Sequence, residues 1–131
     1  MLPLIDVLIT SSSFPHRVTG ISDARASLVE MKACYGCEIV GITLGVRGAL
    51  IYCEGEFIES PAFAVPGGCR DTTGAGDAFH AGFIYGMLRG EDLEMCLKLG
   101  NAVAALKCRG LGARTALPTA GELEDFLGQE L

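Results

Sequence analysis

Asp71-Thr72-Thr73-Gly74-Ala75-Gly76-Asp77 runs straight into Ala78-Phe79-His80-Ala81-Gly82-Phe83, and this join decides how the chain is read. Gly74, Ala75 and Gly76 carry almost no side chain, and the apolar spacing after them predicts a helix over Ala78 to Leu88, closed by Gly90. Backbone N–H groups at a helix start lack intrahelical partners, and the helix dipole puts positive charge there. Such a turn suits an anion, including a phosphoryl group in transfer. Asp77 stands beside it, where a carboxylate can take a proton from an attacking hydroxyl. A plainer reading stays open: glycine-rich turns before helices are common, and an Asp in a first helical turn is stabilising by itself. The Walker pattern GxxxxGK followed by Ser or Thr is missing, so a Walker-type nucleotide fold is not indicated.

Outward from this join, strand and helix patterns alternate. Val7 to Thr10 reads as a short buried strand, and Ser11-Ser12-Ser13-Phe14-Pro15 as a loop. Ser22 is placed to cap a helix to about Tyr35, with Ala26, Val29, Met31 and Ala33 on its apolar side. Glu38 to Leu44 is a β-branched run, and Gly45 to Gly48 a tight turn. Ala49 to Cys53 and Glu56 to Glu59 predict a hairpin around Glu54-Gly55. Pro61 to Arg70 is irregular. Leu93 to Lys107 predicts a second helix after the glycine-rich join. Pro118-Thr119 precedes a last one, with Leu123, Phe126 and Leu127 on its apolar face. The expected class is α/β. Few parallel strands are visible, so the expectation is part of a larger α/β sheet with one edge exposed.

The chain has 131 residues, which fits one domain, and half of them are hydrophobic, so the composition is globular. A net charge of -6 argues against a nucleic-acid surface but not against a phosphorylated ligand held by amides. No apolar run is long enough for a bilayer, and Met1 to Thr10 lacks a basic start, so the expectation is a cytoplasmic protein with no membrane partner. Cys34-x-x-Cys37 has no second close pair, and neither His16 nor His80 completes a ligand spacing. Reduced thiols packed as small hydrophobes are the better reading of the six cysteines.

The segment from Asp71 to Phe83 closely resembles the C-terminal signature of the ribokinase-like (PfkB) carbohydrate kinases. Ile42-Thr43-Leu44-Gly45-Val46-Arg47-Gly48 is similar to that family's strand and turn over the nucleotide. Gly100-Asn101-Ala102-Val103-Ala104-Ala105-Leu106 is similar to its nucleotide-side helix. The resemblance covers nearly the whole chain and implies a partial ribokinase-like three-layer α/β fold. It implies ATP-dependent phosphorylation of a sugar-like hydroxyl, with Mg²⁺ bridging phosphates. Asp77 then matches the catalytic base, and Gly74, Ala75 and Gly76 the anion hole. Thr43, Gly45 and Gly48 match residues lining the nucleotide, Gly76 lies against its phosphates, and Asn101 matches a position beside the adenine. The family often places a monovalent cation, K⁺, next to the anion hole. Its ligands would fall at Asp71 and Thr73, at backbone oxygens near Lys107, Gly110 and Gly112, and near Ala116.

The departures matter as much. Family members are more than twice this long, and the part that normally brings the sugar-binding residues and a lid has no counterpart here. The family's Asn-x-x-Glu motif, which helps organise magnesium, is replaced by Ser11-Ser12-Ser13-Phe14. Ala-Leu-Lys-Cys at Ala105 to Cys108 resembles the sulfofructose-kinase-like branch without identifying a substrate. The alternative to a sugar kinase is a non-catalytic nucleotide-binding fragment, or a module needing a partner chain or a second copy along its exposed sheet edge. A plain structural α/β domain is a third reading.

Overall fold

The computed structural model describes residues 4–130, so the apolar opening Met1 to Pro3 lies outside it. The described chain is mixed α/β, with four strands and five α-helices. It divides into two compact units, Met1–Glu59 and Ser60–Leu131.

The first unit begins with β1 (Val7–Ser11) and returns through α1 (Ser13–Thr19) and α2 (Ala24–Tyr35) to β2 (Ile39–Thr43). β2 lies parallel to β1, with Val7 opposite Ile39 and Ser11 opposite Thr43. β3 (Ala49–Cys53) pairs antiparallel to β2, and β4 (Glu56–Ser60) follows across the Glu54-Gly55 turn, giving the sheet order β1-β2-β3-β4. The hairpin is where the sequence predicts it. β1 is an edge strand and, against expectation, only half-buried: of its residues Ile9 alone is fully covered. The central β2 is buried along nearly its whole length, as a strand with a neighbour on each side should be.

Three local expectations fail at the helices of this unit. The stretch read as a loop at Ser11 to Pro15 enters a helix at Ser13. Pro15 is compatible because it stands in the first turn, where a missing N–H removes no helical bond. Asp23, not Ser22, caps α2, its carboxylate accepting from Ala26 N at 2.8 Å. The buried face of α2 is Ser27, Leu28 and Met31, whereas Ala26, Val29 and Ala33 are exposed. Ser27 tolerates burial because its hydroxyl donates to Ala24 O at 2.8 Å. Leu28 and Met31 pack with Cys37, Val40, Ile42 and Leu50 into the core of this unit.

The second unit is helical after the irregular Pro61 to Arg70 stretch. It comprises α3 (Ala75–Leu88), α4 (Leu93–Lys107) and α5 (Ala120–Glu130). α4 has the predicted bounds, and Asp92 caps it by accepting from Met95 N at 2.8 Å. α3 starts three residues earlier than predicted, so Ala75, Gly76 and Asp77 form its first turn. α3 and α4 meet along a seam of glycines. A Cβ on Gly82 would lie 2.5 Å from Leu99 O, one on Gly86 2.9 Å from Cys96 Sγ, and one on Gly100 2.7 Å from the Phe79 ring. Only glycine permits that approach. Leu123, Phe126 and Leu127 of α5 close the core against Ala78, Leu99, Ala102, Val103 and Leu106. Thr119 and Glu122 cap α5 reciprocally: Thr119 N donates to Glu122 Oε1, and Glu122 N to Thr119 Oγ1.

Candidate functional site

The head of α3 gathers most of the chemistry. Gly74 sits at the N-cap with φ 77°, a left-handed conformation, and a Cβ there would also meet Ala113 Cβ at 2.8 Å. Ala75 N donates to Thr72 O at 3.0 Å, so one of the three expected anion-hole amides is already spent. The N–H groups of Gly76 and Asp77 have no hydrogen-bond partner among the described residues. Both residues are exposed, and a Cβ on Gly76 would meet nothing within 4 Å. The Asp77 carboxylate forms no ion pair among the described residues. Two open amides at the positive end of a 14-residue helix, beside an open carboxylate, can hold an anion and accept a proton at one place. His80 lies on the next turn, its Nδ1 2.8 Å from Gly76 O.

Asp71 braces the turn from behind. Its Oδ1 accepts from Thr73 N at 3.0 Å and Thr73 Oγ1 at 2.7 Å, and its Oδ2 from Gly112 N at 2.7 Å. These bonds, the Thr73 amide first, then the Gly112 amide and the Thr73 hydroxyl, lower its pKa to about 2. The backbone of the same residue is fixed too. Arg70 N donates to Cys108 O at 2.8 Å, and Asp71 O accepts from Lys107 Nζ at 2.6 Å.

The residues expected around a monovalent cation therefore do come near one another, but the oxygens of Asp71, Lys107 and Ala116 are engaged by the protein's own donors. Lys107 is 0 % exposed, and its side chain, not its carbonyl, reaches Asp71. Lys107 O accepts from Gly110 N at 3.3 Å. Ala116 O accepts from Arg109 Nη2 at 3.2 Å. The guanidinium of Arg109 is also held by Leu106 O and by Glu122 at 3.5 Å, so it is not turned to a phosphate. With an ammonium and a guanidinium already on two of these carbonyls, the donor set does not fit K⁺.

Asn101 is buried, at 5 % exposure. Its Nδ2 donates to Ser60 O at 3.1 Å and Pro61 O at 3.2 Å. The first unit holds the other expected nucleotide residues. Thr43 ends β2, with its hydroxyl 3.5 Å from Thr10 O. Gly45 opens a single 3₁₀ turn, Gly45–Arg47, and Gly48 closes it at φ 95°, ψ −129°, a region essentially reserved for glycine. Ser11 and Ser13, in the stretch replacing Asn-x-x-Glu, are exposed, with their hydroxyls 3.4 Å apart. Among the described residues no three or more His, Cys, Asp or Glu side chains gather as metal ligands. Cys37, Cys96 and Cys108 are buried thiols, while Cys34 and Cys69 are exposed; hydrogen bonding to Glu30 pushes the Cys34 thiol up. No helix among the described residues is long and apolar enough to cross a membrane.

Sequence reasoning identified the Asp71 to Asp77 turn but missed the glycine seam and the role of the Lys107 side chain. Gly82-x-x-x-Gly86 spacing was one available signal. The other was a lysine four residues after Val103 and seven after Gly100, on the buried face of α4.

The chain is 49% identical over 83 residues to an uncharacterized sugar kinase of Archaeoglobus fulgidus, covering 63% of this chain and 32% of that protein. It is 31% identical over 131 residues to a ribokinase of Haemophilus influenzae, covering 97% of this chain and 42% of that one. Among solved structures, a fructokinase from Vibrio cholerae in fructose-, ADP- and potassium-bound form superposes with a TM-score of 0.86 at 31% identity. That match covers 96% of this chain and 42% of the fructokinase. The chain thus spans about a third to two-fifths of the length of the curated relatives it matches. Residues 1–120 match the family described as pfkB family carbohydrate kinase, and the chain belongs to that family.

Proposed function

We propose that this chain provides the phosphate-binding and proton-accepting part of an ATP-dependent kinase acting on a hydroxyl of a sugar or sugar-like substrate. The observation that carries the reading is the pair of unspent amides, Gly76 and Asp77, beside the exposed Asp77 carboxylate at the head of α3. The substrate oxygen attacks the γ-phosphorus in line while Asp77 takes the hydroxyl proton. The bond from phosphorus to the bridging oxygen breaks, and ADP leaves. Charge on the transferring phosphoryl is met by the Gly76 and Asp77 amides and the α3 dipole, with Gly74 keeping the approach clear. Ala75 contributes its small size, because its amide is held by Thr72 O.

Thr43, Gly45 and Gly48 are the nucleotide residues we assign in the first unit; Gly76 and Asn101 are those of the second. Mg²⁺ would be carried on the nucleotide phosphates, where it supplies positive charge. Ser11 to Phe14 bring it no carboxylate. In this reading the chain corresponds to the C-terminal, nucleotide-binding part of a ribokinase-like kinase. The residues that choose the sugar, and the lid, belong to the rest of such a kinase.

Calorimetric titration with Mg-ADP tests the reading. Saturable binding to the chain, abolished in Gly76→Asp, is expected. No binding by a chain that circular dichroism shows to be folded would sink it. In an enzyme with the sugar-binding part present, Asp77→Asn should keep ADP affinity and slow phosphoryl transfer by about a thousandfold.

A further inference from the structure

Lys107 is a lysine with 0 % exposure at the last position of α4, and Nζ reaches a backbone carbonyl 36 residues earlier in the chain, Asp71 O, at 2.6 Å. Burying an ammonium is unfavourable unless something compensates for lost water. Here the compensation comes from the Asp71 carbonyl, with the Asp71 carboxylate nearby. That carboxylate is kept ionised well below the usual range, and the Lys107 charge is among the causes. The acceptor belongs to the same residue whose side chain holds Thr73 N, Thr73 Oγ1 and Gly112 N. A methyl-terminated side chain would fill the space equally well, so the charge itself needs a reason.

We infer that the Lys107 ammonium is a built-in cation for the turn ahead of α3, standing where a dissolved monovalent cation would otherwise serve. It is a positioning residue. Through Asp71 it fixes the segment that leads to Gly74 and presents the Gly76 and Asp77 amides. It also adds one positive charge near an anion site without touching the transferred group. The inference deepens the kinase reading and rests on it for its catalytic meaning. Its structural content does not: the turn of this chain should need no potassium, although the similar fructokinase was determined with a potassium ion bound.

The test compares the wild-type chain with Lys107→Ala, which opens space, and Lys107→Met, which keeps the stem and deletes the charge. Each is studied in equal concentrations of potassium chloride and choline chloride, reading the thermal midpoint and the Mg-ADP dissociation constant. The wild type should give the same values in both salts. Lys107→Met should lose midpoint in both salts, with ADP affinity down about tenfold. Lys107→Ala should lose as much in choline and recover specifically in potassium. A potassium-specific rise in the wild-type midpoint overturns the inference, and needs no variant to fold. So does a Lys107→Ala variant that potassium does not rescue, because a purely space-filling lysine would behave that way. If the wild type binds no ADP in either salt, the kinase reading falls, and the midpoints still decide whether Lys107 acts as the cation.

Discussion

Gly45–Gly48 in the first unit and Gly74–Asp77 in the second are both glycine-rich turns next to a regular element, and they are held in opposite ways. The first is closed by its own backbone: Gly48 N donates to Gly45 O at 3.0 Å, and Leu44 N to Gly48 O at 2.7 Å. The second is held from outside, by the Asp71 carboxylate, the Lys107 ammonium and a glycine seam two to three turns along α3. The first turn spends the Arg47 and Gly48 amides on its own backbone. The second leaves those of Gly76 and Asp77 unspent at the head of a long helix, and those are what an anion needs. The difference also predicts how each turn fails: the first through its own dihedral angles, the second through residues distant in sequence.

The largest loss should come from the seam. Gly82→Val drives a branched side chain into the α4 backbone and should cost about 3 kcal/mol in denaturant unfolding, with ADP affinity falling alongside. Gly48→Ala comes next: its dihedral angles exclude a side chain, so about 2 kcal/mol should be lost without any contact being broken. An unchanged stability there would erase the contrast between the two turns. Asp71→Ala should lower the thermal midpoint at neutral pH by a smaller amount, and its effect should depend on pH. The folded pKa of Asp71 is depressed, so its contribution is fully present above the unfolded value near 4 and disappears as pH falls through about 2. Wild type and variant should therefore differ at pH 7 and converge in strong acid. Smallest for stability is Gly76→Asp, within about 0.5 kcal/mol of wild type, since the added atoms enter open space and an acid suits a helix start. That variant separates function from folding, because its ADP binding should vanish while its unfolding stays put.

What could be read from the sequence follows the same line. The Glu54-Gly55 hairpin, α4 behind Asp92, and α5 with Leu123, Phe126 and Leu127 are local patterns, and they stand where they were expected. The Asp71 to Asp77 turn was legible because its residue types are restricted by the turn itself. α1 was hidden because three serines and Pro15 read as loop, although proline is harmless in a first helical turn. Of the face expected for α2, Met31 is buried as read, while Ala26, Val29 and Ala33 are exposed and Ser27 and Leu28 take their place, since both sets fit a helical stripe almost equally well. The start of α3 was placed late because Gly74 and Gly76 look like coil. The partners of Lys107, Asn101 and Asp71 lie about forty residues away in each case, and no periodicity encodes such a pairing.

The seam at Gly82, Gly86 and Gly100 has one more consequence. Most packed helices rest on side chains that can change rotamer, and such contacts soak up small movements like a cushion. At Gly82, α3 instead rests almost directly on the α4 backbone at Leu99 and Gly100, with no side chain between them at that point. A push on α4 should therefore reach the first turn of α3 undamped, as along a stiff lever. The tip of that lever is the pair of amides at Gly76 and Asp77.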